Sequence, residues 1–306
     1  MANSSASVSP GQQTLLGAAF AALAAVGFSG KAILVKLAYG SEVDAVTLLA
    51  LRMAFSAPVF LTIALWSHGK GRAERLERRD WLAVLGLGLI GYYLSSLLDF
   101  TGLEYISAGL ERLILFLYPT MVVILTAVIF NHPIGRRETL ALALSYAGIA
   151  LVFLHDVGVS REGVLVGGAL VFASTLSYSI YLVGAGHAIA RLGATRFTAY
   201  AMVVACCATL AQFALTHPVS ALHVPVRVYW LGASMAAFST VLPVFLLSAG
   251  IRRIGSRHTS LIGSIGPIAT IAMAHVFLGE GVSVQQLAGS MLVLSGVLVI
   301  GFNRQP

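Results

Sequence analysis

LERLILFLYPTMVVIL, residues 110–125, sets two opposite charges, Glu111 and Arg112, inside an oily run and follows them seven residues later with Pro119. The run is long enough to cross a bilayer, for which a helix needs about 20 apolar residues. A charge at its centre costs on the order of 3 kcal/mol on insertion scales. A membrane helix carries such groups only where they meet one another or a water-filled cavity. The stretch therefore predicts a membrane helix facing the interior of a bundle.

The rest of the chain agrees. Of 306 residues, 58% are hydrophobic and 10% charged, with mean hydropathy +0.89. A soluble domain carries about a quarter of its residues as charges. This chain cannot cover its surface with polar groups, so most of its solvent is lipid. Ten apolar runs predict spans over 14–38, 43–67, 81–99, 103–130, 138–155, 163–187, 196–216, 227–249, 257–278 and 284–302. They should be helices, because a helix satisfies its own backbone in the absence of water. The opening MANSSASVSPGQQ lacks a basic leader, so 1–13 reads as a cytoplasmic tail and the next run as a first span.

Lys and Arg gather in alternate connections: GKGRAERLERRD, HPIGRRE, ARLGATR, GIRRIGSR and FNRQP hold thirteen. The intervening connections hold Arg161 and Arg227, with Lys36 near one span end, against Glu42, Asp44, Asp99, Glu104, Asp156, Glu162 and Glu280. By the positive-inside rule, both termini are cytoplasmic. The net charge of +7 belongs to these connections and does not call for nucleic acid. Cys206 and Cys207 are neighbours in an apolar run, pointing to different sides as packing residues, neither disulfide nor metal pair.

Sliding residues 98–154 onto 246–302 lays LEYISAGLERLILFLYPT over IRRIGSRHTSLIGSIGPI. Nine of 57 positions are identical, and Pro119, Gly102 and Gly148 fall on Pro267, Gly250 and Gly296. Prolines and glycines have backbone meaning, so these coincidences outweigh the count. Five spans per half make the second copy enter from the opposite side. The charges follow suit, with Glu104 and Tyr105 matched by Arg252 and Arg253. Inverted repeats allow two halves to exchange shapes around a midplane site, the basis of alternating access.

On these residues the chain resembles the drug/metabolite transporter superfamily, in its EamA-like branch. Each half closes with a proline-containing span, a short loop and a glycine-containing span: YPTMVVILTAVIF…LALALSYAGIALVF, then GPIATIAMAHVFLGE…LAGSMLVLSGVLVIGF. Glu280 stands where the family commonly has an acidic residue, and Asn131-His132 replaces it in the first copy. The opening GAAFAALAAVGFSGKAILVKL resembles the family's first span, with Gly27-Phe28 where Trp-Gly is common. The resemblance implies an all-α membrane protein of two inverted five-helix repeats, 14–155 and 163–302. It also implies inner-membrane export of small metabolites, amino acids foremost, with drugs or other metabolites as the alternative.

Among the in-span charges, Arg52 lies about 14 Å into its span at 1.5 Å per residue. Glu111 and Arg112 lie at similar depth from the same side, and Lys31 lies in the same half of the membrane. Glu111 should pair with Lys31 or Arg52, as a packing ion pair or as part of a cavity wall. Three positive charges and one negative suit a carboxylate, with Glu111 left for an ammonium. Tyr92, Tyr93, Tyr118, Tyr178 and Tyr181 are further candidate lining, Tyr178 and Tyr181 sharing one helix face. Pro119 and Pro267 should free the carbonyls of Leu115 and Gly263 and kink their helices as gates, or as static bends. His275 reads as a packing residue. No protease, hydrolase or paired-aspartate pattern lies in the spans, which leaves an enzyme as the remote alternative. The reading calls for no cofactor and no metal. Its partners are a small-molecule substrate, the bilayer and protons as a candidate coupling ion, and it leaves the oligomeric state open.

Overall fold

The computed structural model describes residues 10–69, 77–131, 133–158 and 163–301. Every regular element among them is helical. In chain order they are α1 (Pro10–Tyr39), α2 (Ala45–Gly69), α3 (Arg78–Leu103), α4 (Ala108–Phe130), α5 (Arg136–Gly158), α6 (Val164–Leu192), α7 (Ala194–Thr216), α8 (Val226–Gly255), α9 (Gly266–Leu278) and α10 (Val284–Gly301). The first eight contain stretches long and apolar enough to cross a membrane, while α9 and α10 are shorter apolar helices. Large apolar side chains are exposed on every one, from Leu15 and Leu65 to Val276 and Val284. In water that surface would drive aggregation, and in lipid it is the expected exterior. Trp66, Trp81 and Trp230 are exposed near helix ends, as interfacial anchors are.

The packing carries an exchange symmetry. The helix α1 lies along α8, and α6 lies along α3; α2 pairs with α7, and α5 with α10. Adding five to each label maps every pairing onto another or onto itself. The glycines show why these crossings are close. A methyl group on Gly102 would sit 3.0 Å from the Gly167 carbonyl oxygen, joining α3 to α6. One on Gly250 would sit 3.2 Å from that of Gly17, joining α8 to α1. Small residues let membrane helices approach until backbones touch, which is how they gain packing energy without a hydrophobic driving force.

Three helices contain π-helical turns, at Leu89–Leu94 in α3, Ala237–Val241 in α8 and Ala274–Leu278 in α9. Two positions further along are broken. The α4 helix consists of Ala108–Leu115 and Tyr118–Phe130, and a helical run ends at Gly263 before α9 begins at Gly266. At both breaks the chain tightens to an i to i−3 bond, Leu117 N to Ile114 O (3.0 Å) and Ile265 N to Ile262 O (3.1 Å).

This corrects the role expected of the prolines. Pro119 and Pro267 do not kink continuous helices; each stands in the first turn of a new helical piece. There the missing N–H costs nothing, since first-turn amides have no helical acceptor. Pro119→Ala should accordingly lower thermal stability in detergent by less than about 1 kcal/mol, whereas a mid-helix proline costs ~3 kcal/mol relative to alanine. A rise near the larger figure would restore the kink.

Two boundaries also move. The third span, expected to end at residue 99, continues to Leu103, which puts Asp99 inside α3. The eighth and ninth spans, expected to be separated by a loop, are joined through one residue. The helix Leu242–Gly263 is interrupted only at Gly255, whose φ of 76° lies in the left-handed region that glycine tolerates.

Acidic residues of the connections cap helix starts. Asp44 Oδ1 accepts from Thr47 N at 2.9 Å, and Glu104 Oε1 from Ala45 N at 3.1 Å, both at the start of α2. Glu280 Oε1 accepts from Ala108 N at 3.0 Å and caps α4 from the far half of the chain. A carboxylate there satisfies orphan amides and faces the positive end of the helix dipole.

Candidate functional site

The site forms where α1, α3 and α4 meet. Lys31 on α1 donates a short hydrogen bond to Asp99 Oδ2 on α3, and its Nζ lies 2.9 Å from Glu111 Oε1 on α4. Glu111 is fully buried, and Asp99 is 3% exposed. One lysine thus bridges two carboxylates. The contact to Glu111 is an ion pair off the hydrogen-bonding line: among the described residues, neither Glu111 oxygen and not Asp99 Oδ1 has a hydrogen-bond donor. The expected alternatives for Glu111 resolve in favour of Lys31. Asp99 is the residue that sequence reasoning missed, because a charge at the edge of a hydropathy window reads as the end of the span.

Arg52 on α2 is 8% exposed and lies elsewhere in the cluster. Its Nε donates to Thr240 Oγ1 in the π-turn of α8 at 3.1 Å, and its guanidinium lies over the Phe100 ring, 5.3 Å from the centroid. The Thr240 hydroxyl in turn donates to Met235 O at 3.1 Å, five residues back, a carbonyl that the wider turn presents. Arg112 has a buried Nε with no hydrogen-bond acceptor among the described residues, and its Nη2 lies 2.7 Å from where a Gly266 Cβ would stand. Only glycine leaves room there for the guanidinium to cross the start of α9. Among the described residues no carboxylate ion-pairs with either arginine. Asp99 is the acid whose charge reaches both.

The five in-membrane charges, Lys31, Arg52 and Arg112 against Asp99 and Glu111, sum to +1 rather than the +2 expected without Asp99. Burying an unpaired charge is costly unless a partner arrives.

Four of the five expected tyrosines gather beside this cluster. Tyr92 and Tyr181 are 3.0 Å apart through their hydroxyls, Tyr178 stacks on Tyr181 at 5.7 Å, and Tyr118 meets Tyr178 edge-on at 5.9 Å. Gly91 makes the contact possible, because a Cβ there would lie 2.3 Å from the Tyr181 ring. Tyr93 does not join them. It leaves α3 on a different side from Tyr92, as neighbours on a helix do, and donates to Gln212 Oε1 of α7 at 3.1 Å. His275 is exposed and hydrogen-bonded through Nδ1 to the Glu280 carbonyl at 3.0 Å, rather than packed in the interior.

The two helix breaks are held alike. Ser29 Oγ of α1 lies 2.9 Å from Gly266 O and Ser179 Oγ of α6 lies 3.4 Å from Tyr118 O, each carbonyl a second acceptor beside the one four residues back in the serine's own helix, Ala25 O and Thr175 O at 2.7 Å. Residues 118 and 266 are equivalent in the repeat, and each serine comes from the first helix of the other half.

The sequence pattern of the EamA-like transporter family matches this chain twice, over residues 15–154 and 165–302. The chain belongs to the EamA-like transporter family. This EamA-like protein is 30% identical to an uncharacterized transporter of Bacillus subtilis (strain 168), YcbK, over 91% of its own length and 90% of the relative's. It is 27% identical to a second from the same organism, YyaM, over 81% and 82%. A solved crystal structure superposes with a TM-score of 0.63 at 20% identity, covering 96% of this chain and 98% of that one, and shares its fold. The EamA-like chain is a multi-pass membrane transporter, of the inner membrane in bacteria.

Proposed function

We propose that this EamA-like transporter exports small metabolites, amino acids foremost, by alternating access between two inverted five-helix units, residues 14–155 and 163–302. In this reading the chain crosses the membrane ten times, with both termini in the cytoplasm. The matched packing of helices, the equivalent breaks in α4 and before α9, and the alternating Lys/Arg content of the connections support it.

The observation that carries the substrate reading is the pair of interior guanidiniums, Arg52 and Arg112, lacking carboxylate partners among the described residues. A substrate carboxylate completes them, and arginine's planar fork suits a carboxylate in two-point contact. The Asp99–Glu111 pair is the complementary place for an ammonium. The tyrosine cluster offers an apolar wall for a side chain.

Counterflow in proteoliposomes across a panel of amino acids, with and without an imposed pH gradient, tests this. Exchange should depend on Arg52 and Arg112. Unchanged export by Arg52→Ala at normal membrane abundance would remove the substrate reading. A dependence of net export on the pH gradient would identify protons as the coupling ion.

A further inference from the structure

We infer that Asp99 and Glu111 form a cation subsite in which Lys31 is a tethered occupant, displaced by the substrate's ammonium during transport. The inference rests on the amino-acid reading above and names the step at which that ammonium acts.

The argument begins with donors and acceptors. Two carboxylates present four oxygens, and the lysine gives a hydrogen bond to one of them, Asp99 Oδ2. Asp99 Oδ1 and both Glu111 oxygens are buried with no donor among the described residues. An ion pair that only fixes helix packing should have its remaining lone pairs satisfied, because a buried pair is stabilising only with good geometry and supplementary hydrogen bonds. This pair is held by charge and is short of donors. An incoming ammonium brings three protons to the four carboxylate oxygens that the departing lysine leaves open.

The occupant is suited to leaving. Lysine carries a compact charge on a flexible four-carbon stem, whereas an arginine would lock two-point geometry. The charged groups that face the pair come from three helices besides α3: Lys31 from α1, Arg112 from α4 beside Glu111, and Arg52 from α2 across the Phe100 ring. The two arginines are directed elsewhere, to Thr240 and to the start of α9. Lys31 is therefore the cation that holds the carboxylates.

Displacement also has a mechanical result. On α1, Lys31 ties to α3 and α4, and two residues earlier Ser29 holds the Gly266 carbonyl at the start of α9. A substrate ammonium that takes over the carboxylates removes the ionic tie between α1 and the other two helices. Helix α1 then stays attached to α9 and is free to move with it, which couples occupancy to rearrangement.

The test is chemical rescue. Lys31→Ala removes the charge and the stem beyond Cβ, and n-butylammonium carries the same charge on a stem one carbon longer than the three removed. In detergent-solubilised Lys31→Ala, n-butylammonium should bind at least about tenfold more tightly than in the wild type, a ~1.4 kcal/mol difference, read as a rise in melting temperature. Butanol should give no rise, and Lys31→Ala/Glu111→Gln should lose the response to the amine. If Lys31→Ala does not survive purification, it is prepared with n-butylammonium present throughout. Recovery of monodisperse protein only with the amine supports the inference, and failure in both preparations overturns it. An amine response no larger than that of butanol also overturns it. The rescue uses no substrate. Absence of amino-acid counterflow in the wild type would therefore defeat the substrate reading, whereas absence of rescue would defeat the subsite.

Discussion

Asp99→Asn should reach the membrane at near-normal abundance and lose about a hundredfold in counterflow rate, equivalent to ~3 kcal/mol of binding or barrier. The substitution keeps the shape of the side chain and removes its charge. Lys31 is left with Glu111, at 2.9 Å but off the hydrogen-bonding line. The interior charge rises from +1 to +2, because Asp99 is the acid whose field reaches both Arg52 and Arg112. Asp99→Ala should do more, adding a packing defect beneath the lysine and lowering thermal stability by about 3 kcal/mol, the lower end of what breaking a buried pair costs. A double-mutant cycle with Lys31→Met checks the assignment. If the two residues act through each other, the paired variant should be more stable than Asp99→Asn alone. Wild-type counterflow by Asp99→Asn would show that the triad only supports packing.

Gly289→Val should prevent accumulation of folded protein, and the cause is geometric. A Cβ at 289 would lie 2.3 Å from Val152 Cγ2 and 2.6 Å from the Gly148 carbonyl oxygen. At Gly148 the reciprocal Cβ would lie 2.6 Å from the Gly289 carbonyl oxygen. Backbone cannot move aside as a side-chain tip can, so α5 and α10 would have to separate along their length, forfeiting contacts that in a membrane come from packing alone. The matched control is Gly86→Ala on α3, where nothing lies within 4 Å of the new methyl. That change should be neutral or add up to about 1 kcal/mol, the ordinary gain of alanine over glycine in a helix. Fluorescence-detected size-exclusion profiles and melting curves of the two variants separate the cases. Equal behaviour would mean that the α5–α10 crossing is looser than the structure places it.

The helical class, the family and the need of Glu111 for a cation, Lys31 or Arg52, were legible because each rests on a local or compositional signal. Apolar runs name membrane helices, and a charge in an oily run demands a partner. Asp99 was hidden by the same logic that exposed Glu111. Lying near a predicted boundary, it was taken as the boundary, and only a lysine 68 residues away in the chain makes its burial affordable. The π-turns at Leu89–Leu94 and Ala237–Val241 have no sequence signature, yet one of them presents Thr240 to Arg52. Pro119 and Pro267 marked the right places with the wrong geometry, since proline ends one helix as readily as it opens the next. Tyr92 and Tyr93 were equal candidates in the sequence, and helix phase alone sent one to Tyr181 and the other to Gln212.

The single left-handed residue between α8 and the run leading to α9 makes those two rods a bell crank pivoted at Gly255. One arm carries Thr240, which grips Arg52, and the other leads to Gly266, over which Arg112 lies. A tilt imposed at either arginine should reach the other by way of this pivot and the break between Gly263 and Gly266. The first half has at the corresponding place a four-residue link between α3 and α4, wound back onto the Thr101 and Gly102 carbonyls in place of a single-residue pivot.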